Sequence, residues 1–286
     1  MQGLGLGKEV TCYATHLWRC VMTIWLVCIS HTVSSKDQNA LAVTVPNSGS
    51  YTRAISTDNP ATQTFFDQGL RLAWGFYFPE SIASYREASR HDPSHPMPYW
   101  GIAHAAGPNP NSRYAQMPDD PQGAGLAAIQ SALARIDRAT PMEAELIRAL
   151  HIFYDADRIP DPKARDQAYL AQMRALNAKF PDDHDIAALY AGSFMSIRRW
   201  DYWDKNGEAK GETLAVAEAL EHIIRTCDPH PGVSHLHTHF IEASMTPQRA
   251  LVSADALQST LHIAGHVVPI PTPLLDPAGT LPRSSA

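Results

Sequence analysis

Residues 230–244, HPGVSHLHTHFIEAS, hold four histidines and a carboxylate in one short stretch. On a helix, His235 and His239 stand one turn apart, and Glu242 follows three residues later on the same face. His237 points elsewhere. Two neutral imidazoles and a carboxylate at this spacing are a ligand set for zinc, copper or iron, although a lasting site needs a third or fourth convergent donor. A transition metal is therefore the one cofactor the pattern could support. The alternative is that His235, His239 and Glu242 pair with neighbouring groups where helices meet.

A second group of chemistry-bearing side chains lies in RRWDYWDKNGEAKGE, where Trp200, Tyr202 and Trp203 follow Arg198. Aromatic faces beside a guanidinium could clamp a ligand ring or a carboxylate; the same residues could equally plug the end of a helix pair. Asn109 and Asn111 in GPNPN could bond the backbone of a bound peptide, or simply form turns. His104, in PYWGIAHAAG, is a further candidate for a binding groove. The chain has no Gly-rich phosphate loop, GxSxG elbow or HExxH pair, which weakens the common nucleotide-binding and hydrolase readings.

Composition narrows the partners. The 286-residue chain has a formal net charge of -6 and a pI near 6.1, and no basic stripe for a phosphate backbone. Nucleic acid is therefore not expected. Lys8 and Arg19 precede the apolar run CVMTIWLVCI at 20–29, and small residues follow up to Ser34 and Ser35. That is the layout of a secretory leader over residues 1–35, with a run too short to span a membrane comfortably, so a secreted or periplasmic chain is expected, with an uncleaved membrane anchor or a mis-assigned start as the alternatives. Cys12, Cys20 and Cys28 all fall in this leader. Cleavage would leave Cys227 without an internal disulfide partner, as a small, partly buried residue at a helix end or a reactive thiol.

The elements that must position these groups are helices. Residues 36–60 mix Ser, Thr, Asn, Gly and Pro without a helical period and read as an extended linker. From Ala61 onward, apolar residues recur at i, i+3, i+4 and i+7 between Asp-Pro and Pro-Asp turns. In FFDQGLRLAWGFYFPESIASYREASRHDP, Phe65, Gly69 and Leu72 mark a first helix, while Ser81, Tyr85, Ala88 and Pro93 mark a second. This is tetratricopeptide (TPR) spacing: Gly69 and Ser81 let two antiparallel helices approach, the aromatics fill the groove, and Pro93 stops the second helix.

Tyr99, Ile102, Ala103 and Ala106 fall at the next first-helix positions. TPMEAELIRALHIFY opens with a capping box of Thr140 and Glu143, with Pro141 between them. Pro181 and Pro229 repeat the stop, and Ala217 and Ile224 match Ser81 and Ala88. The histidine stretch then occupies the first-helix slot of the last repeat, which should line the concave face. Prolines at 269, 271, 273, 277 and 282 leave residues 259–286 as an extended tail.

The segments FFDQGLRLAWGFYFPESIASYREASRHDPSHPMPYWGIAHAAGPN, RRWDYW, HPGVSHLHTHFIEAS and RALVSADAL together resemble a family of TPR-domain-containing proteins, related to tetratricopeptide repeat protein 38. The likeness covers about residues 61–258. Family members carry a His, two aromatics, Ile, a second His and Glu, onto which His235, His239 and Glu242 fall. They then continue past a Gly-His pair into a segment with two further histidines. Here Gly265 and His266 fit the pair, but VVPIPTPLL follows, so the chain looks like a C-terminally shortened member. The resemblance implies an all-α fold, a TPR-like right-handed solenoid of helical hairpins, and carries no reaction with it. The expected role is a non-enzymatic scaffold that holds a peptide or protein partner in a concave groove. Two alternatives stand beside it, a metal-binding protein or metal-dependent enzyme, and a degenerate truncated paralogue.

Overall fold

The computed structural model describes residues 39–108 and 120–261. The leader, residues 262–286 of the expected tail, Asn109 and Asn111 lie outside them; residues 259 and 260, expected in the extended tail, instead end the last described helix. Among the described residues the protein is all-α, with ten α-helices and no strand. They are α1 (Pro60–Trp74), α2 (Phe78–His91), α3 (Met97–Ala106), α4 (Pro121–Leu133), α5 (Pro141–Tyr154), α6 (Pro162–Lys179), α7 (His184–Arg198), α8 (Thr213–Thr226), α9 (Pro231–Ile241) and α10 (Leu251–Thr260). No helix among the described residues is long and apolar enough to cross a membrane.

Local chemistry sets these boundaries. Side chains of Asn59, Asp120, Thr140, Asp161, Asp183 and His230 cap helices by accepting first-turn N–H groups. Thr140 and Glu143 form the expected reciprocal capping box. Pro93, Pro181 and Pro229 stand two or three residues past the ends of α2, α6 and α8, where their missing N–H groups would break a continuing ladder.

Each helix packs against the next in sequence, and α1 meets α3, α3 meets α5, and α7 meets α9. The α1–α2 contact is as close as its small residues predict. Ser81 Oγ donates to the Gly69 carbonyl at 2.7 Å, and the fully buried Tyr85 ring lies where a Cβ on Gly69 or Gly101 would reach it, at 2.7 and 2.5 Å. The aromatic that fills this core from α1 is Phe66, with no exposure, whereas Phe65 is half-buried against the His91 ring.

Two features depart from the sequence expectation. First, α1 also packs on α9, and every residue of α9 is buried. The helix expected to line an open concave face is instead enclosed, because the first and last odd-numbered helices close on one another. Second, residues 39–59 are extended but are no free linker. Side chains of α1, α2 and α5 hold their backbone, starting with Leu41 N–H to Glu87 at 2.8 Å and ending with Ser56 N–H to Glu143 at 2.9 Å.

The packing around Tyr85 makes a paired prediction. Gly101→Ala drives a Cβ into the ring and should cost about 1–3 kcal/mol. Gly192→Ala, whose Cβ would meet Leu236 at an ordinary 3.7 Å, should be neutral or stabilising by up to about 1 kcal/mol. Urea unfolding of the two variants beside the parent measures both.

Candidate functional site

The most polar part of the interior is built on Asp185, the second residue of α7. Its carboxylate is buried, so both oxygens need donors. One oxygen accepts from the Tyr51 hydroxyl at 2.6 Å and from Arg53 at 2.8 Å. The other accepts from Trp74 Nε1 at 3.1 Å and His230 Nε2 at 3.1 Å. Burial by itself would raise the carboxyl pKa, but His230, Arg53 and Tyr51 outweigh it and hold Asp185 well below the usual carboxylate range.

The donors are themselves constrained. Arg53 reaches Asp183 through both terminal nitrogens, at 2.8 and 2.9 Å; burial would favour losing its proton, and Asp185 with Asp183 overcomes that. His230 Nδ1 accepts the Val233 N–H at 3.1 Å as the cap of α9, so Nε2 carries the proton it gives to Asp185. Trp74 is pinned three ways. Its indole donates to Asp185, its carbonyl meets His235 Nδ1 at 2.5 Å, and its ring lies where a Cβ on Gly232 would reach it at 2.5 Å.

Outside this network lies an open cleft of about 1240 Å³, bordered by Tyr51, Arg53, Asp182, His184, Cys227 and Asp228 among others. Asp182 and Asp228 are exposed on its rim. Lys179, also on the rim, is paired with Glu145. Cys227 sits half-buried at the end of α8, as its position suggests, with Sγ 3.3 Å from His184 Nε2.

The residues singled out by type and spacing are divided among several places. His235, His239 and Glu242 do adjoin: the two imidazole centroids are 4.8 Å apart, and His239 Nδ1 is 3.2 Å from Glu242. Their surroundings are aromatic, with Phe76 at 4.2 Å from His235 and Trp200 edge-on to His239 at 5.1 Å. Among the described residues, no group of three or more His, Cys, Asp or Glu side chains could hold a metal ion. His237 does point elsewhere, to Ser253 at 2.7 Å and Glu221 at 3.2 Å.

His104 is not at an open groove. It is buried in α3, stacked on Trp100 at 5.3 Å, and its Nδ1 has no hydrogen-bond partner among the described residues; burial lowers its pKa to about 4. The aromatics after α7 act as a plug. Tyr202 is fully buried and stacks on Phe240 at 4.8 Å, Trp203 Nε1 donates to the Phe240 carbonyl at 2.6 Å, and Trp200 is 43% exposed. Arg198 lies over Phe194 at 5.7 Å. No clamp forms between Arg198 and the indoles, because the backbone turns through left-handed conformations at Arg199 and Trp200 and sends the aromatics onto α9. Sequence reasoning missed Tyr51 and Arg53, which lie in the expected linker, and Asp185, which lies in the first turn of α7.

Compared with known proteins, the chain matches no protein-family model, no curated protein and no solved structure.

Two predictions follow from this interior. Asp185→Asn removes the buried carboxylate that Tyr51, Arg53, Trp74 and His230 share, and should cost about 3–5 kcal/mol in denaturant unfolding. The second concerns acid. Burial lowers the pKa of His237, as of His104, to about 4, whereas the unfolded chain protonates both near pH 6.5. Their contribution is complete well above pH 6.5 and is lost as pH falls toward 4, by about 1.5 kcal/mol per histidine between pH 6.5 and 5. Asp67, raised to about 6 chiefly by burial, works in the opposite direction below pH 6 and offsets part of the loss. Unfolding midpoints from pH 7 to 4.5 should fall, and His104→Phe, which keeps the stack on Trp100, should flatten the slope.

Proposed function

We propose that the chain is a TPR-like helical scaffold, exported by its leader, that binds a peptide segment of a protein partner. The helical-hairpin order, the small-residue contact of α1 with α2 and the meeting of odd-numbered helices support the repeat reading. The observation that carries the function is the cleft of about 1240 Å³, beside which the Asp185 network fixes Tyr51, Arg53 and His230 before any ligand arrives. A pre-fixed wall lowers the ordering cost of binding. In His230 both ring nitrogens are engaged in holding structure, which suits a wall better than proton transfer. The rim offers Asp182 and Asp228 to a basic side chain of the partner.

A random-peptide display library panned on the immobilised chain tests the reading. Enriched peptides should carry Lys or Arg, and their affinity should fall about tenfold or more in the Asp182→Lys, Asp228→Lys double variant. Absence of enriched peptides, or binding that the double variant leaves intact, would discard it.

A further inference from the structure

Residues 41–56 run in two extended arms around a turn at Pro46 and Asn47, where Asn47 and Gly49 have positive φ. In the second arm, Tyr51, Arg53 and Ile55 face inward while Thr52, Ala54 and Ser56 are exposed, the alternation of a strand. Yet among the described residues no strand lies beside it. Side chains take the place of the missing ladder.

Two glutamines of α1 act as amide clamps. Gln68 donates to the Val43 carbonyl at 3.0 Å and accepts the Val45 N–H at 2.7 Å. Gln63 donates to the Arg53 carbonyl at 2.8 Å and accepts the Ile55 N–H at 3.0 Å. Each clamp bridges the carbonyl of one residue and the N–H two residues on, a pairing that only extended backbone offers. Between them Asp67 accepts the Arg53 N–H at 3.0 Å, and Arg71 donates to the Tyr51 carbonyl at 2.8 Å. None of these bonds reads a side chain.

Side-chain contacts are fewer: Ser48 Oγ accepts from Arg71 at 3.2 Å and Ser56 Oγ donates to Glu143 at 2.6 Å. Tyr51 and Arg53 enter the Asp183 and Asp185 carboxylates, and Ile55 is buried, whereas Leu41 and Val43 are 56% and 62% exposed. The segment is thus held chiefly through its backbone and one Tyr-x-Arg pair, the manner in which grooves hold extended peptides. Gln68 and Asp67 are buried at 2% and 5% exposure with the segment in place, so opening of the segment hands them to water and an exchanging partner would cover them again.

We propose that the polar face of α1, with the amino end of α7, is a groove for an extended partner segment carrying a tyrosine and an arginine two residues apart, and that residues 41–56 are its exchangeable internal occupant. The proposal rests on the peptide-scaffold reading and places the partner along α1, at the edge of the same cleft whose rim carries Asp182 and Asp228; exchange would replace the Tyr51 and Arg53 wall with the partner's own tyrosine and arginine.

Hydrogen exchange on the intact chain is the first test. The amides of Val45, Arg53 and Ile55 should exchange by local opening, about 100-fold or more faster than those of Leu70 and Leu72 in α1. Exchange of both sets at one rate would make the segment a permanent part of the core and overturn the proposal. In the second test, a labelled peptide of residues 41–56 is added to full-length Arg53→Ala chain. It should bind and raise the unfolding midpoint, at least about tenfold more tightly than to the parent, whose own segment competes. The same peptide with its arginine replaced by alanine should lose that affinity. A folded variant that ignores the peptide would refute the groove. A variant that dimerises in preference to binding would assign the groove to a second copy and overturn the partner. If Arg53→Ala does not fold, the exchange rates decide. Repeating the titration in the Asp228→Lys variant, which spares the Asp183 and Asp185 anchors, separates the two readings: the peptide of residues 41–56 should still bind there even where basic peptides from the display library no longer do.

Discussion

A carboxylate taken out of water costs several kcal/mol unless donors replace its hydration, and Asp185 is such a carboxylate. Its four donors come from three separate parts of the chain: Tyr51 and Arg53, Trp74, and His230. None is near Asp185 in sequence, so the charge can be buried only when the extended segment, α1, α7 and α9 have all arrived. The network couples these elements because removing one donor leaves the buried carboxylate under-solvated.

The enclosure of α9 follows from the same convergence. With α1 packed across it, a helix bearing several histidines has no open face, and each ring must find partners inside. His230 turns to Asp185, His235 to the Trp74 carbonyl, His237 to Ser253 and Glu221, and His239 to Glu242. Histidine suits these places because a neutral ring can donate at one nitrogen and accept at the other while offering an aromatic face. Phe76 and Trp200 use those faces.

The extended segment shows how a stretch with little apolar content belongs to a fold. It buries few hydrophobic side chains, yet its N–H and C=O groups meet Gln63, Asp67, Gln68 and Arg71 in succession. Backbone hydrogen bonds that would be satisfied by a neighbouring strand in a sheet are here satisfied from one helix face. The cost of burying those polar side chains and the need of the extended backbone for partners offset each other.

The sequence by itself determined the helices and much of their pairing. Caps such as Thr140 and Asp183, the proline stops, and the Gly69, Ser81 and Tyr85 contact act over a few residues or one helical hairpin, and that range is written in local order. Spacing also placed His235, His239 and Glu242 on one face and sent His237 to another, since a helix fixes side-chain azimuth whatever surrounds it. Only tertiary structure decided what those faces meet. Asp183 and Asp185 read as ordinary residues of a helix start, and Tyr51 and Arg53 as linker, because a buried ion pair between residues 130 or more positions apart leaves no periodic trace in the sequence. The same reason hid the capture of residues 41–56: a glutamine that clamps a distant backbone has the same local pattern as one that faces water.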